Sequence, residues 1–230
     1  MSYDILLFDA DRTLFDFDKS EELAFLQIAP LFGVEASMQN YHLYRDINHR
    51  NWEQLEQGLF TRDRILVKRF EEFLTAIGKP IDPAREMHEV YTDHLAKISV
   101  MFDEALPMIE RLYNAGKRLF IITNGLKKVQ KGRVFPSPIF KYLENIFISE
   151  SIGASKPQKL FFDIVAKEIP NFDASKAIVI GDSLTSDIKG ANNAGLDCIW
   201  FNQEKATLPK GYTVTHVAHN FIELEKFLLK

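Results

Sequence analysis

Short uninterrupted apolar runs punctuate the chain: YDILLF near its start, RLFIIT ending at Thr123, NIFIS ending at Ser149, AIVIG ending at Gly181 and DCIWF ending at Phe201. A weaker run, YTVTHVA, lies near the C-terminus. The strong runs do not alternate apolar with polar residues, so each predicts a strand buried on both faces, as in a parallel sheet. Between them, helical spacing recurs over 103–115, 158–169, 185–194 and 220–229. Strand alternating with helix predicts an α/β fold, a doubly wound parallel sheet joined by right-handed crossovers.

One stretch breaks the rhythm. Residues 16–98 hold no strand run and are rich in Glu, Leu, Phe, Arg and Lys at helical spacing, as in TRDRILVKRFEEFLTAIGKP. Gly33, Gly58, Gly78 and the Lys79-Pro80 turn divide it into several helices. The expectation is an all-helical cap over 16–98, inserted into a core made of 1–15 and 99–230.

Composition narrows the function classes. A formal net charge of −4 argues against a nucleic-acid polymer as partner, while a local cationic site for a small phosphate ligand remains open. The one cysteine, Cys198, sits in an apolar run and reads as a buried small hydrophobe. The start of the chain lacks the basic, then long apolar, pattern of a secretory leader. No apolar stretch approaches the ~20 residues of a membrane span. A cytoplasmic enzyme is expected, as monomer or homodimer.

Ligands of an open parallel sheet bind beyond the carboxyl ends of its strands. Here the first run leads into Asp9-Ala10-Asp11-Arg12-Thr13, the second into Thr123-Asn124-Gly125, and the third, seven residues on, to Lys156-Pro157. The fourth leads into Gly181-Asp182-Ser183, with Asp187 one helical turn later. Singly, each has a plain reading as a turn residue or helix cap. Together they place carboxylates, a lysine and hydroxyl or N–H donors at one sheet edge.

That set suits phosphate monoester hydrolysis. A carboxylate can attack phosphorus and divide the reaction into two steps. A divalent cation offsets the repulsion between carboxylate and phosphate, and Mg²⁺ accepts one or two carboxylates plus phosphate oxygens. Asp9 and Asp182 can supply those carboxylates. Lys156, Thr123 and the N–H groups near Asn124 and Gly125 can hold the phosphoryl oxygens. Asp11 can give a proton to the leaving alkoxide and later take one from water.

These residues resemble the signatures of the haloacid dehalogenase-like superfamily: DxDxT in Asp9-Ala10-Asp11-Arg12-Thr13, a Thr after a strand in IITNG, a lysine in GASKP and the acidic cluster of IVIGDSLTSDIKGANNAG. The resemblance covers the whole chain. It implies a Rossmann-like core, a helical C1 cap between the first and second motifs, and Mg²⁺ as cofactor. It implies Asp9 as nucleophile, Asp11 as general acid/base lending its carbonyl to the metal, and Thr123 and Lys156 on the phosphoryl group. Asp182 would be a metal ligand, with Asp187 supporting the site from behind. Asp11 points to phosphate rather than carbon–halogen chemistry, since the dehalogenases lack an acid there. Arg12 departs from the Gly or Glu that many relatives carry.

The phrases FDADxTLFDF, ITNG and FISExxGxxKP and the stretch QGLFTRDRILVKRFEEFLTAIG resemble the pyrimidine 5′-nucleotidase branch, implying a nucleotide substrate. In the cap, Asn48, Arg50 and Trp52 could meet a base, or Trp52 could simply fill the cap's interior. Phe15 and Phe17 either wall the site or pack its hinge. The alternatives are a sugar-phosphate phosphatase, a phosphoryl mutase, a 2-haloacid dehalogenase and a receiver-like phosphoprotein.

Overall fold

The computed structural model describes residues 3–230, so residues 1 and 2 of the expected first core segment lie outside it. Six parallel strands form one sheet: β1 (Ile5–Phe8), β2 (Arg118–Thr123), β3 (Asn145–Ile148), β4 (Ala177–Gly181), β5 (Asp197–Phe201) and β6 (His216–Ala218). Their order is β3-β2-β1-β4-β5-β6. β1 is central, with Phe8 opposite Ile121 of β2 and Ile180 of β4. The order reverses on either side of β1, which opens a crevice at its carboxyl end.

The uninterrupted apolar runs have a direct cause. Leu6, Phe8, Ile121, Ile178 and Ile180 bury one face of the sheet against α5 (Ala105–Asn114) and α10 (Phe221–Leu228). Ile5, Leu7, Phe120, Ile122 and Val179 bury the other against α8 (Lys159–Glu168) and α9 (Lys189–Ala194). Both members of the alternation thus face a helix layer. The helix expected over 185–194 instead begins as one π turn, Leu184–Ile188, before α9. Two short helices follow strands on the other side of β1: α6 (Lys127–Val134) after β2 and α7 (Ser149–Ile152) after β3.

Between β1 and α5 the chain forms four helices, α1 (Phe17–Ile28), α2 (Met38–Glu56), α3 (Arg62–Ala76) and α4 (Ala84–Leu95). They enclose a third apolar cluster in which Phe25, Tyr44, Phe70, Phe73 and Tyr91 pack ring against ring, stacked in some pairs and edge-to-face in others. Side-chain caps start two of them: Asp16 caps α1 by accepting from Lys19 N, and Ser37 caps α2 by accepting from Asn40 N. The unit touches the sheet's carboxyl edge through Arg62, which donates to Ser149 Oγ at 2.8 Å, and through a hydrogen bond between Thr185 and Glu56. Among the described residues no helix is long and apolar enough to cross a membrane.

Candidate active site

The carboxyl ends of β1, β2 and β4 bring the motif residues together. Asp9 directly follows β1, and its N–H donates to Ile180 O of β4 at 2.7 Å, so the nucleophile candidate is anchored by main chain. Lys156 is almost wholly buried, and its ammonium has three partners: Asp9 Oδ1 at 2.6 Å, Asp187 Oδ1 at 2.6 Å and Ile122 O at 2.9 Å. Its three protons are thus matched by three acceptors. Burial alone would lower the Lys156 pKa, but Asp187 and Asp9 outweigh it and hold the ammonium charged.

Asp187 is fully buried. It reaches Lys156 and also accepts from Ser183 N at 3.1 Å. Gly181 makes this approach possible, because a Cβ there would lie 2.2 Å from Asp187 Oδ2. Asp9, Asp182 and Asp187 each offer a carboxylate oxygen, and these atoms lie within 4.8 Å of one another. Burial pushes Asp9 up to about 7; Lys156 opposes this, while Asp187 and Asp11 add to it. Asp182 is raised well above the usual carboxylate range, first by burial and then by Asp9 and Asp187. Three carboxylates facing one ammonium leave an excess of negative charge in an all-oxygen donor set, which suits Mg²⁺.

The β2 and Lys156 loops are tied together. Asn124 Nδ2 donates to Lys156 O at 2.8 Å, and Lys156 N donates to Asn124 Oδ1 at 3.0 Å. Thr123 is buried, and its Oγ1 accepts from Gly125 N at 3.0 Å. Gly125 leaves room for a neighbour: a Cβ there would come 2.1 Å from Gln130 Nε2, so that side chain would have to move.

Asp11 lies apart from the carboxylate cluster. Its Oδ2 accepts from Gln130 Nε2 at 2.6 Å, and its Oδ1 pairs with Arg133. Gln130 and Arg133 come from α6, which also carries Lys127, Lys128 and Lys131. Those lysines are exposed, but the opposite face is buried and carries Val129, Gln130 and Arg133. The signal was present as the i, i+3 spacing of 130 and 133 beside Val129 and Val134.

Above these groups lies a cavity of about 890 Å³ between sheet and helices, within the range that holds small ligands. Asp9, Asp11, Thr123, Asn124, Lys156 and Asp182 line its floor. Asn48 and Trp52 line the helical wall, on the same face of α2 as His49 and Glu56. Arg50 does not, and its expected place near substrate is corrected: two residues from Asn48 is about 200° around a helix. It points outward, 3.6 Å from Glu72. Asn48 is engaged on both sides, donating to Glu21 Oε1 at 2.6 Å and accepting from Arg69 Nη1 at 2.8 Å. Burial pushes Glu21 up to about 7 against the pull of Arg12 and Arg69.

Phe17 lines the cavity, whereas Phe15 is fully buried behind it. Arg12 adopts φ 63°, a left-handed conformation that favours glycine. Its guanidinium is held 2.7 Å from Asp18 at the rim. Sequence reasoning also missed Trp200, which lines the cavity and donates Nε1 to Asp182 O at 2.8 Å.

Comparison with known proteins agrees with this geometry. A family model described as haloacid dehalogenase-like hydrolase matches residues 6–201. The chain is 35% identical over 203 residues to the pyrimidine 5′-nucleotidase PynA of Streptococcus pneumoniae, covering 88% of this chain and 85% of that one. It is 29% identical over 230 residues to the pyrimidine 5′-nucleotidase YjjG of Escherichia coli, covering 100% of both. The HAD-hydrolase YfnB of Bacillus subtilis, whose magnesium-bound crystal structure reveals interdomain movement, superposes with a TM-score of 0.93 at 32% identity, covering 99% of both chains.

Proposed function

Because the chain belongs to the haloacid dehalogenase-like hydrolases, we propose that it hydrolyses nucleoside 5′-monophosphates, with a preference for pyrimidines, through a phosphoaspartate on Asp9. The observation that carries this reading is the floor of the cavity. There Asp9 is fixed by Lys156, Asp182 and Asp187 stand beside it, and Asp11 follows two residues later.

In the proposed reaction the phosphate enters with its oxygens toward Thr123 and the N–H groups at Asn124 and Gly125, while Lys156, bonded to Asp9, Asp187 and Ile122 O, attracts it by charge. Lys156 keeps Asp9 Oδ1 oriented. Asp9 attacks phosphorus as the bond to the ester oxygen breaks, and that oxygen leaves with a proton from Asp11. Water then attacks the acyl phosphate, passing a proton back to Asp11 as Asp9 is released. Mg²⁺ would be held by Asp9, Asp182 and the Asp11 carbonyl, close to Asp187, and would offset the repulsion between Asp9 and the phosphate dianion.

Residues 16–98 act in this reading as a cap over a core of 1–15 and 99–230, excluding water from the phosphoryl group. Asn48 and Trp52 form the wall nearest the nucleoside. PynA and YjjG, both pyrimidine 5′-nucleotidases, support the substrate class. The test is phosphate release from nucleoside 5′-monophosphates and sugar phosphates, with Mg²⁺ and with EDTA. Metal-dependent release favouring dUMP, dTMP or UMP is expected. A preference for sugar phosphates would keep the chemistry and discard the nucleotide. Halide release from a 2-haloacid without metal, or isomerisation without phosphate release, would replace the reading.

A further inference from the structure

Arg133 is fully buried, yet it does not line the cavity. It pairs with Asp11 Oδ1. Its Nε donates to Ile98 O at 3.1 Å, and Nη2 lies 3.5 Å from Ser20 Oγ. Its guanidinium carbon sits 5.3 Å from the Phe15 ring and 5.5 Å from that of Phe17. Its own carbonyl accepts from Ser99 Oγ at 2.8 Å. Phe15 and Phe17 begin the passage into the four helices, and Ile98 and Ser99 end the passage out. The adjoining Gly132 is equally tight, since a Cβ there would lie 2.2 Å from Ala96 O.

Arg133 is therefore a fixed post braced against both connections, and the one movable carboxyl it holds is that of Asp11. Gln130 takes the other Asp11 oxygen at 2.6 Å. We propose that Arg133 is a positioning residue that sets the Asp11 carboxyl for proton transfer to the leaving oxygen. This rests on the role given to Asp11 above. In ester cleavage the Asp9–phosphorus bond forms and the phosphorus–ester bond breaks. The electron pair goes to the departing oxygen, which takes its proton from the Asp11 carboxyl. Without Arg133, Asp11 retains Gln130 alone and swings about it, so the proton is delivered from the wrong place.

The test compares two esters in wild type, Arg133→Lys, Arg133→Met and Asp11→Asn, all with Mg²⁺. 4-Nitrophenyl phosphate leaves as a stable phenolate and needs little help from an acid. A nucleoside 5′-monophosphate leaves as an alkoxide and needs a proton. The quantity read is the ratio of kcat/KM for nucleotide to that for aryl ester, which reports the cleavage step. Both rates come from the same folded molecules, so partial unfolding of a variant cancels.

Arg133→Met is expected to lower the ratio at least about tenfold, within the range general acid catalysis supplies. Asp11→Asn should set the floor, and Arg133→Met added to it should change the ratio no further. Arg133→Lys should lower the ratio about threefold, since an ammonium cannot reproduce the guanidinium fork. Equal losses on both esters, or a further fall in the double variant, would overturn the inference. If Arg133→Met does not fold, an unchanged ratio in Arg133→Lys overturns it. A wild type inactive on both esters removes the phosphatase reading and this inference with it; an active wild type with insensitive variants removes this inference alone.

Discussion

Asn124 and Lys156 exchange two hydrogen bonds, amide to carbonyl and N–H to amide, at 2.8 and 3.0 Å. This clamp joins the end of β2 to the loop that carries the buried lysine. It fixes where the ammonium meets Asp9. Asn124→Asp keeps an acceptor but loses the donor to Lys156 O and adds charge beside the site. It should lower kcat/KM by roughly 10- to 100-fold, the cost of a misplaced catalytic group, with little change in secondary structure by circular dichroism.

Asp9→Asn should remove turnover, by at least about 10³-fold in kcat, as expected for loss of a nucleophile. The fold should persist, because Lys156 keeps its bonds to Asp187 and Ile122 O. Single-turnover experiments with labelled phosphate on wild type should trap an acid-stable phosphoprotein that Asp9→Asn does not form. A variant with substantial activity would take the nucleophile role away from Asp9.

Lys156→Met should destabilise the metal-free protein strongly. Removing one partner of a buried ion pair costs about 3–5 kcal/mol, and here two carboxylates lose the same cation. The melting temperature should fall by roughly 10 °C or more for a chain of this size. A melting temperature within a degree or two of wild type would mean that the buried cluster reorganises freely.

Adding Mg²⁺ should raise the melting temperature, since the Asp9, Asp182 and Asp187 oxygens form the cluster in the folded state. At a hundred times its dissociation constant the ion contributes about 2.7 kcal/mol, or roughly 5–10 °C. EDTA should reverse the rise, and Asp182→Asn should abolish most of it. Ca²⁺ in place of Mg²⁺ is a useful control, because it demands more ligands at longer distances.

Glu21 carries a pH signature. Burial raises its folded-state value to about 7 from an ordinary 4.5. Between those values the folded protein holds a proton that the unfolded chain releases, so stability is present below about 4.5 and is lost as pH rises through 7. The difference amounts to at most about 3 kcal/mol. Glu21→Gln should flatten that part of the stability curve, with the gap between variant and wild type opening as pH rises from 4.5 to 7. Parallel curves would mean that Glu21 titrates normally.

Much of this arrangement was legible because burial on two faces leaves a strong trace. Leu6 and Phe8 face one helix layer while Ile5 and Leu7 face the other, so β1 reads as an unbroken apolar run. The polar residues that follow such runs then stand out. The helix phase was harder to read. Asn48 and Trp52 share the cavity face of α2, but Arg50 between them turns outward to Glu72. The π turn at Leu184–Ile188 was not foreseen either, since an extra residue in a turn leaves no periodic mark over five positions.

Arg133 was hidden for a different reason. An arginine in KKVQKGRV reads as one more surface cation, and only the tertiary approach of α6 to Asp11 makes it a buried one. Its position behind the site cannot be reached by motif spacing, because its partners at 11, 15, 20 and 98 lie in segments far away along the chain.

Both tryptophans of the chain, Trp52 and Trp200, line the same cavity. Indole fluorescence therefore arises at the site and nowhere else in the protein. Trp200 views it from the sheet, bonded to the main chain of Asp182, and Trp52 views it from α2. Exciting the indoles alone gives a label-free optical reporter with one emitter on each wall, and replacing Trp52 with phenylalanine leaves a single emitter attached to a residue of the acidic cluster. Ligand entry and helix displacement could then be timed separately in a stopped-flow instrument, without adding a dye.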